Sequence, residues 1–195
     1  VDARLDAVAP GTPAGASLAL ADGAGPAENG TSHFVTVDAA GNAVSYTSTI
    51  EGSFGSGLFY EGFYLNNELT DFSFAPAAEG NVIANRVEPG KRPRSSMAPT
   101  IVLRDGKPVR VTGSPGGANI IDYVAFSLIA LLDWNMDPQE AIDLPHVVNL
   151  NGPTRVEEGS GAEAMADSLT ALGHETAIAN LNSGLHVIRI EADRL

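Results

Sequence analysis

The stretch from Asn29 to Gly57 most constrains what this chain can fold into. Two segments of strand-like composition, 31–38 and 43–50, lie on either side of the turn sequence Ala39-Ala40-Gly41-Asn42. β-branched and aromatic residues bounded by short Gly- and Asn-containing connections are typical of hairpin strands. The pattern therefore predicts an antiparallel hairpin whose first residue is Thr31, a residue that carries a hydroxyl group.

Residues 1–30 differ in composition from the rest of the chain. They include the sequences Ala9-Pro10-Gly11-Thr12-Pro13 and Asp22-Gly23-Ala24-Gly25-Pro26. Such sequence buries little apolar surface and interrupts both helix and strand periodicity. We expect a flexible segment over 1–30 and one folded domain over 31–195, with the boundary at the bond between Gly30 and Thr31.

Composition narrows the classes of function. The 195 residues carry a net charge of −13, they include no cysteine, and lysine occurs only at Lys91 and Lys107. An acidic protein repels polyanions, which argues against nucleic acids and anionic membrane surfaces as partners. The lack of cysteine excludes disulfides, thiolate zinc sites and a cysteine nucleophile. No apolar run reaches the roughly 18 residues of a membrane helix, and no secretion signal opens the sequence, so we expect a soluble chain.

The other patterns predict an α+β domain. Asp105-Gly106 between apolar segments predicts a hairpin, and Asp137-Pro138-Gln139-Glu140 predicts a capped helix. Two more helices are expected over 118–134 and 161–172, and the chain is expected to close with a hairpin of 174–179 and 185–191. We interpret five aromatic residues as core residues on strands: Phe54, Phe59, Tyr60, Phe63 and Tyr64. Strands, then helices, then strands indicate helices packed against one or two antiparallel sheets.

Familiar catalytic motifs do not occur in the sequence. The Gly-rich segments 52–57 and 113–117 fit neither a nucleophile elbow nor a phosphate-binding loop. The histidines, at positions 33, 146, 174 and 186, do not have the spacing of metal ligands. A metal site and a His-based triad are therefore not predicted.

Thr31 is the candidate nucleophile that remains. A hydroxyl nucleophile needs a base, and the α-amine of the same residue can serve once the preceding peptide bond is cut. Gly30 suits such a cleavage because a residue without a side chain tolerates strained backbone geometry. On the residues alone, two alternatives stay open: Asn29-Gly30-Thr31 is an ordinary turn, or it is a glycosylation sequon.

An ordered series of motifs runs through residues 31–195. They are Thr31-Ser32-His33-Phe34, Gly41-Asn42-Ala43-Val44, Phe54-Gly55-Ser56, Leu65-Asn66-Asn67-Glu68 with Asp71-Phe72-Ser73, Arg92-Pro93 with Ser95-Ser96-Met97, and Thr112-Gly113-Ser114-Pro115-Gly116-Gly117. On these motifs the sequence resembles the small subunit of γ-glutamyltranspeptidases and of the related cephalosporin acylases, which are N-terminal nucleophile hydrolases. The resemblance implies an αββα sandwich with antiparallel sheets. It also implies that residues 1–30 are the tail of a large subunit, separated by autocatalytic cleavage between Gly30 and Thr31.

The resemblance implies roles for individual residues. Thr31 is expected to be the nucleophile that attacks a γ-glutamyl carbonyl, and Thr49 is expected to hydrogen-bond and orient its hydroxyl. Gly116 and Gly117 are expected to donate backbone N–H groups to the oxyanion. The resemblance implies no metal and no organic cofactor.

The charged ends of the glutamyl group account for the other expected site residues. Glu68 and Asp71 are expected to bind the ammonium group, and Ser95 and Ser96 are expected to donate to the carboxylate. Glu51 is expected to bind substrate too, although many transpeptidases have an asparagine there, and a glutamate resembles the acylase-like bacterial branch. Without the resemblance, Glu68 and Asp71 would be interpreted as solvated turn acids, and Ser95 and Ser96 as loop serines.

The implied partners are a small γ-glutamyl substrate and the large subunit of the same precursor. The resemblance also favours a periplasmic or secreted protein, although this chain contains no signal for export. Two alternatives to γ-glutamyl transfer or hydrolysis stay open. One is an acylase for glutaryl amides, which lack the α-amino group, and the other is a truncated domain that folds, or forms a homo-oligomer, and is catalytically silent.

Overall fold

The computed structural model describes residues 30–191, which divide into two compact units. The described residues of the first unit are 30–144 and 182–191, and those of the second are 145–181. The segment expected to be flexible, apart from Gly30, lies outside the described residues. Within residues 30–191, none of the helices has the length and apolar character needed to cross a membrane.

The first unit contains most of the strands. They are β1 (Thr31–Val37), β2 (Ala43–Thr49), β3 (Phe59–Tyr60), β4 (Phe63–Tyr64), β5 (Ala77–Ala78), β6 (Asn81–Val82), β7 (Thr100–Arg104), β8 (Lys107–Gly113) and, after the second unit, β12 (His186–Arg189). The second unit contains β9 (Val147–Val148), β10 (Thr154–Glu157) and β11 (Thr176–Ala179). The helices are α1 (Ile120–Leu132) and α2 (Pro138–Ile142) in the first unit and α3 (Ala166–Ala171) in the second. Short 3-10 turns lie at Glu68–Asp71, Gly117–Asn119 and Gly161–Met165. The predicted α+β class is confirmed.

The predicted hairpin of β1 and β2 is confirmed, and its register pairs Thr31 with Thr49. A second antiparallel sheet has the strand order β12-β8-β7. The predicted hairpin between β7 and β8 is also confirmed, with φ of 51° at Asp105 and 77° at Gly106. Positive φ at both central residues matches the right-handed twist of the flanking strands, which explains the Asp-Gly pair.

The hairpin of β1 and β2 packs on one face of the β12-β8-β7 sheet. His33 of β1 lies directly over Gly113, where an added Cβ would come within 2.2 Å of the imidazole. The Ser45 hydroxyl of β2 donates to the Thr112 carbonyl of β8 at 2.7 Å. Glycine at position 113 is therefore required by packing, because the imidazole occupies the space of a side chain.

Helices α1 and α2 cover the opposite face of the same sheet. Their buried residues Ala130, Leu131 and Ala141 pack with Val187 of β12. The α2 helix begins with the predicted capping box of Asp137 and Glu140, which satisfies backbone N–H groups of its first turn. The first unit is thus built as helices, sheet and hairpin, with Thr31 at the start of the hairpin.

The second unit is a small sheet with the order β11-β10-β9 and the helix α3. Strand β10 pairs antiparallel with β9 and parallel with β11. Its core includes Val148, Val156 and Leu181. The predicted third helix is confirmed in outline as a 3-10 turn followed by α3, and the chain leaves it through Gly173 at a φ of 94°.

The predicted closing hairpin is wrong. The first of its segments, β11, pairs in parallel with β10, whereas β12 pairs antiparallel with β8. The turn signal lies in the loop at 182–184, where the Gly184 N–H donates to the Ser114 hydroxyl at 3.2 Å and a Cβ at Gly184 would lie 2.7 Å from the Pro115 ring. This loop therefore packs against the chain after β8 and does not join two paired strands.

The expected core position of the aromatic residues between Phe54 and Tyr64 is also wrong. Their exposed fractions run from 40% at Tyr64 to 65% at Phe54. Tyr64 makes edge contacts with Phe54 and Phe59, at ring centroid distances of 5.4 and 5.2 Å. The composition indicated strand residues here, and the short strands β3 and β4 do form, but composition does not distinguish a core strand from a surface hairpin.

Candidate active site

The hydroxyl groups of Thr31 and Thr49 meet at the open end of the first hairpin. Their Oγ1 atoms are 3.0 Å apart, which is hydrogen-bonding distance. The ladder brings them together because Thr31 and Thr49 are paired residues on neighbouring strands, so their side chains leave the hairpin on the same face. The predicted contact between the two hydroxyls is present, and the roles of Thr31 as nucleophile and Thr49 as orienting residue stay predictions.

The chain after β2 turns sharply at Glu51. Its φ is 69°, a conformation that side-chain-bearing residues rarely adopt, and its N–H donates to Thr49 Oγ1 at 2.9 Å. Glu51 is buried, with 6% of the residue exposed. The hydrogen bond from the Glu51 N–H holds Thr49 Oγ1 in place beside the Thr31 hydroxyl.

Three acidic residues predicted for the site come together. Burial raises the pKa of each of Glu51, Glu68 and Asp71 above its ordinary value. The negative charge of Asp71 raises the pKa of the other two further, and the charge of Glu51 adds to the shift at Glu68. Because Asp71 acts on both glutamates and Glu51 acts on Glu68, the three residues lie close enough to be described as one carboxylate cluster. Within residues 30–191, no group of His, Asp and Glu side chains is arranged to hold a metal ion.

The loop with Ser95 and Ser96 is tied to the same region. The positive charge of Arg94 opposes the rise in the pKa of Asp71. The Asn85 side chain bridges the two segments, donating to the Asp71 carbonyl at 2.6 Å and accepting from the Arg94 N–H at 3.0 Å. Ser95 itself accepts from the Met97 N–H at 3.2 Å. Ser95 and Ser96 therefore follow directly after Arg94, whose charge acts on Asp71 of the carboxylate cluster. Their contact with a ligand stays a prediction.

Gly116 and Gly117 form the turn between β8 and α1. Their φ angles are 138° and 59°, and a Cβ at Gly116 would lie 2.6 Å from the Tyr123 ring. Among the described residues, neither Gly116 nor Gly117 donates its N–H to a backbone carbonyl. The turn follows Gly113, which packs on His33 of β1 two residues after Thr31. The φ of Gly116 and the closeness of the Tyr123 ring favour glycine at that position, and donation of the two N–H groups to an oxyanion stays a prediction.

Gly30 is packed against the turn at Glu51. A Cβ at Gly30 would lie 2.5 Å from the Glu51 carbonyl oxygen and 2.7 Å from that of Gly52. No other residue type fits there without movement of the backbone. The bond before Thr31 is thus held against the segment that contributes Glu51 to the carboxylate cluster.

Sequence reasoning missed the residues that hold this site in place. Asn67 donates to the Glu51 carboxylate, Asn85 donates to the Asp71 carbonyl, and the Tyr123 ring packs against Gly116. Asn67 is part of one of the motifs, but a side-chain amide in a polar turn gives no signal of the distant backbone that it binds. Only the approach of segments far apart in sequence reveals such a role.

A comparison with known protein families identifies the chain. The model of the γ-glutamyltranspeptidase family matches residues 6–195. The chain belongs to this family. This confirms the resemblance inferred from the motifs.

Individual members of the γ-glutamyltranspeptidase family and related enzymes are similar to this chain in sequence and structure. The glutathione hydrolase proenzyme of Bacillus subtilis is 40% identical over 160 residues, which cover 80% of this chain and 26% of the relative. A solved acivicin-inhibited γ-glutamyltranspeptidase, described as using its C-terminus in autoprocessing and catalysis, superimposes with a TM-score of 0.74 at 36% identity, covering 83% of this chain and 90% of that one. The cephalosporin acylase of Bacillus halodurans reaches a TM-score of 0.70 at 26% identity, covering 82% of this chain and 30% of that one. The chain spans about a quarter of the length of its curated relative.

Proposed function

We propose that this chain is the catalytic part of an enzyme that transfers or hydrolyses the γ-glutamyl group of glutathione-like amides through a threonyl acyl-enzyme. Thr31 becomes the N-terminal residue by autocatalytic cleavage after Gly30. The single observation that carries the proposal is the 3.0 Å hydrogen bond between the Thr31 and Thr49 hydroxyls, at a strand start that follows a tightly packed glycine. The membership of the γ-glutamyltranspeptidase family supports it.

The chemistry follows from the groups on Thr31. Its Oγ attacks the amide carbonyl carbon, and the hydroxyl proton passes to the free α-amine of the same residue. When the tetrahedral intermediate collapses, the C–N bond breaks and the proton moves to the leaving nitrogen, which leaves a γ-glutamyl ester on Thr31. Water or an acceptor amine then attacks the ester, which gives hydrolysis or transfer. Gly116 and Gly117 donate to the oxyanion of both intermediates, a contribution worth about 3 kcal/mol for a single donor.

The carboxylate cluster provides the site for the substrate's ammonium group. Burial holds the pKa values of Glu51, Glu68 and Asp71 high, and repulsion within the cluster adds to this at Glu51 and Glu68, so a cation placed among them relieves an existing penalty. Among the described residues, Glu68 Oε1 is buried and has no hydrogen-bond partner. An ammonium group offers three N–H donors, and it can therefore satisfy this oxygen together with its neighbours. Ser95 and Ser96 donate to the substrate's α-carboxylate.

The large subunit is proposed as the partner that completes the fold and the pocket. The outer face of the first hairpin exposes large apolar side chains, with Phe34 and Tyr46 at 50% and 51% exposure. Neither edge of this two-stranded sheet is paired with another strand of residues 30–191. In the proposed αββα sandwich, strands and helices of the large subunit extend this sheet and cover that face.

Intact-mass spectrometry of the protein, with the large-subunit region present, tests the proposal. We expect loss of the residues up to Gly30 in the wild type, no cleavage and no turnover of a γ-glutamyl anilide in Thr31→Ala, and retention of both in Thr31→Ser. An alanine variant that still cleaves at this bond would sink the proposal. A stable uncut wild type without turnover favours the catalytically silent domain.

A glutaryl acylase is the second candidate, and the similarity to a cephalosporin acylase favours it. Glutaryl amides have no α-amino group, so the carboxylate cluster contributes nothing to their binding. Rates on γ-glutamyl and glutaryl anilides separate the two candidates. We expect a clear preference for the γ-glutamyl compound, and a preference for glutaryl amides would assign the chain to the acylases.

A further inference from the structure

The Asn67 side chain joins the turn after β2 to the 3-10 turn that carries Glu68 and Asp71. Its Oδ1 accepts the Gly52 N–H at 2.9 Å. A backbone N–H can only donate, so the amide oxygen must face Gly52 and the amide nitrogen must face the other way. The orientation of the Asn67 amide is thus fixed by the backbone.

The Nδ2 group of Asn67 donates to Oε2 of the Glu51 carboxylate, and also to Thr70 Oγ1 at 3.0 Å. The main chain of Asn67 is held as well: its N–H donates to the Ile50 carbonyl at 3.2 Å, and its carbonyl accepts the Thr70 N–H at 2.8 Å. Every one of these bonds joins residues of the two turns or closes the second turn. One residue therefore determines how far Glu51 lies from Glu68 and Asp71.

The geometry points to Asn67 as a positioning residue that holds the Glu51 carboxylate against the 3-10 turn, so that the three acids surround one ammonium group. This inference rests on the proposed function for the identity of the ligand. The position of Glu51 follows from the hydrogen bonds alone. Asn67 acts through Glu51 and is not assigned any contact with the substrate.

Asn67 also reaches the cleavage site through one residue. It binds the N–H of Gly52, whose carbonyl oxygen lies against Gly30. The Gly30 Cα therefore packs on a backbone segment whose position Asn67 controls. A change at Asn67 should move the acidic wall of the pocket and the backbone that supports the scissile bond together.

Two variants and a matched control test this role. Asn67→Asp keeps an oxygen for the Gly52 N–H but turns a second oxygen toward Glu51 Oε2, where like charges repel. Asn67→Ala removes all three side-chain bonds. Asn66→Asp makes the same change of charge one residue earlier, where the wild-type side chain accepts the Glu68 N–H at 3.1 Å.

The first measurement is a carbon-13 NMR titration of the Glu51 carboxyl in the full chain, which requires no catalytic activity. We expect Asn67→Asp to raise the pKa of Glu51 clearly more than Asn66→Asp does, because only residue 67 faces its carboxylate. Equal shifts in the two variants would overturn the inference, whatever the reaction of the protein is.

The second measurement is steady-state kinetics with the large subunit present. For Asn67→Ala we expect KM for a γ-glutamyl anilide to rise about tenfold while kcat changes by less than about threefold, because one charge-assisted contact in the ground state is misplaced. KM for a glutaryl anilide should not change, and Asn66→Asp should keep both KM values within about twofold. An equal rise for the two substrates would contradict the role of Asn67 in the ammonium pocket. If neither substrate reacts with the wild type, the proposed function fails, and the titration still decides the inference about Asn67.

Discussion

Two neighbouring regions of the molecule build the candidate site by different means. The Thr31 and Thr49 hydroxyls are brought together by a regular antiparallel ladder, in which paired residues necessarily share a face. The carboxylate cluster lies on irregular backbone, with Glu51 at a positive φ, and depends on hydrogen bonds from side-chain amides. A ladder defines a geometry by counting residues, whereas the cluster depends on contacts between segments separated along the chain.

The two regions also differ in electrostatics. In the ladder region the titratable group is His33, whose pKa is lowered by burial and then by the nearby His186. In the loop region the three carboxylates have raised pKa values. In both regions burial disfavours the charged form of the side chain. A cation placed near the carboxylates would offset this effect in the loop region, whereas it would add to it at His33.

The largest effect is expected from Thr49→Val in the ladder region. The substitution preserves the shape of the side chain but removes the hydrogen bond to Thr31 and the acceptor for the Glu51 N–H. We expect kcat to fall about 100-fold with KM nearly unchanged, as measured by steady-state kinetics, because orientation of the nucleophile matters in the transition state. Thr36→Val, at an exposed position of β1, is the control, and a similar loss there would show that only strand stability is affected.

The next effect is expected from Asp71→Asn in the loop region. Loss of one negative charge weakens the ammonium site, so kcat/KM for a γ-glutamyl anilide should fall about 30-fold, and that for a glutaryl anilide should stay within about twofold. Glu61→Gln, an exposed acid, controls for net charge. If both substrates lose equally, the cluster is part of the fold and not a recognition site.

Gly30→Ala tests the point where the two regions meet. The added Cβ would come within 2.5 Å of the Glu51 carbonyl oxygen, so the scissile bond must move away from its support. We expect the rate of cleavage, followed by mass spectrometry, to fall about tenfold, since displacement from an attack geometry of this kind is costly. Turnover by protein that has completed cleavage should be unchanged, because residue 30 has then left. Cleavage at the wild-type rate would mean that the packing of Gly30 has no role in processing.

The smallest effect is expected in stability. The pKa of Glu68 is raised in the folded state above its ordinary value of 4.5, so the folded state binds a proton at Glu68 more tightly than the unfolded state does. As the pH rises through the raised pKa, the carboxyl loses this proton and the free energy of unfolding falls. Glu68→Gln should therefore raise Tm by about 2 °C at neutral pH, and the gain should vanish near a pH of about 4. Thermal unfolding at the two pH values measures it. The opposite pH dependence would show that Glu68 is stabilised as a carboxylate in the ligand-free fold.

The sequence by itself determined the elements whose signals are local. Strand-like composition on either side of a turn predicted β1 and β2, Asp105-Gly106 predicted the turn before β8, and Asp137 with Glu140 predicted the cap of α2. All three are confirmed, because these signals depend on adjacent residues. Ordered motifs identified the family, which the comparisons confirm. The roles assigned to Thr31, Thr49 and the other site residues stay predictions.

Only the tertiary structure decided which strands pair and which side chains support the site. The signal at 182–184 predicted a hairpin, but tertiary contacts with Ser114 direct that loop elsewhere, and β12 pairs with β8. Aromatic residues near Phe59 looked like a core and lie on the surface. The sequence did not indicate Asn67 as a partner of Glu51, because a hydrogen bond between two segments cannot be predicted from the local sequence of either one. Many segments have a similar local propensity to pair with a given strand or side chain. Packing of the whole unit decides which of these contacts form.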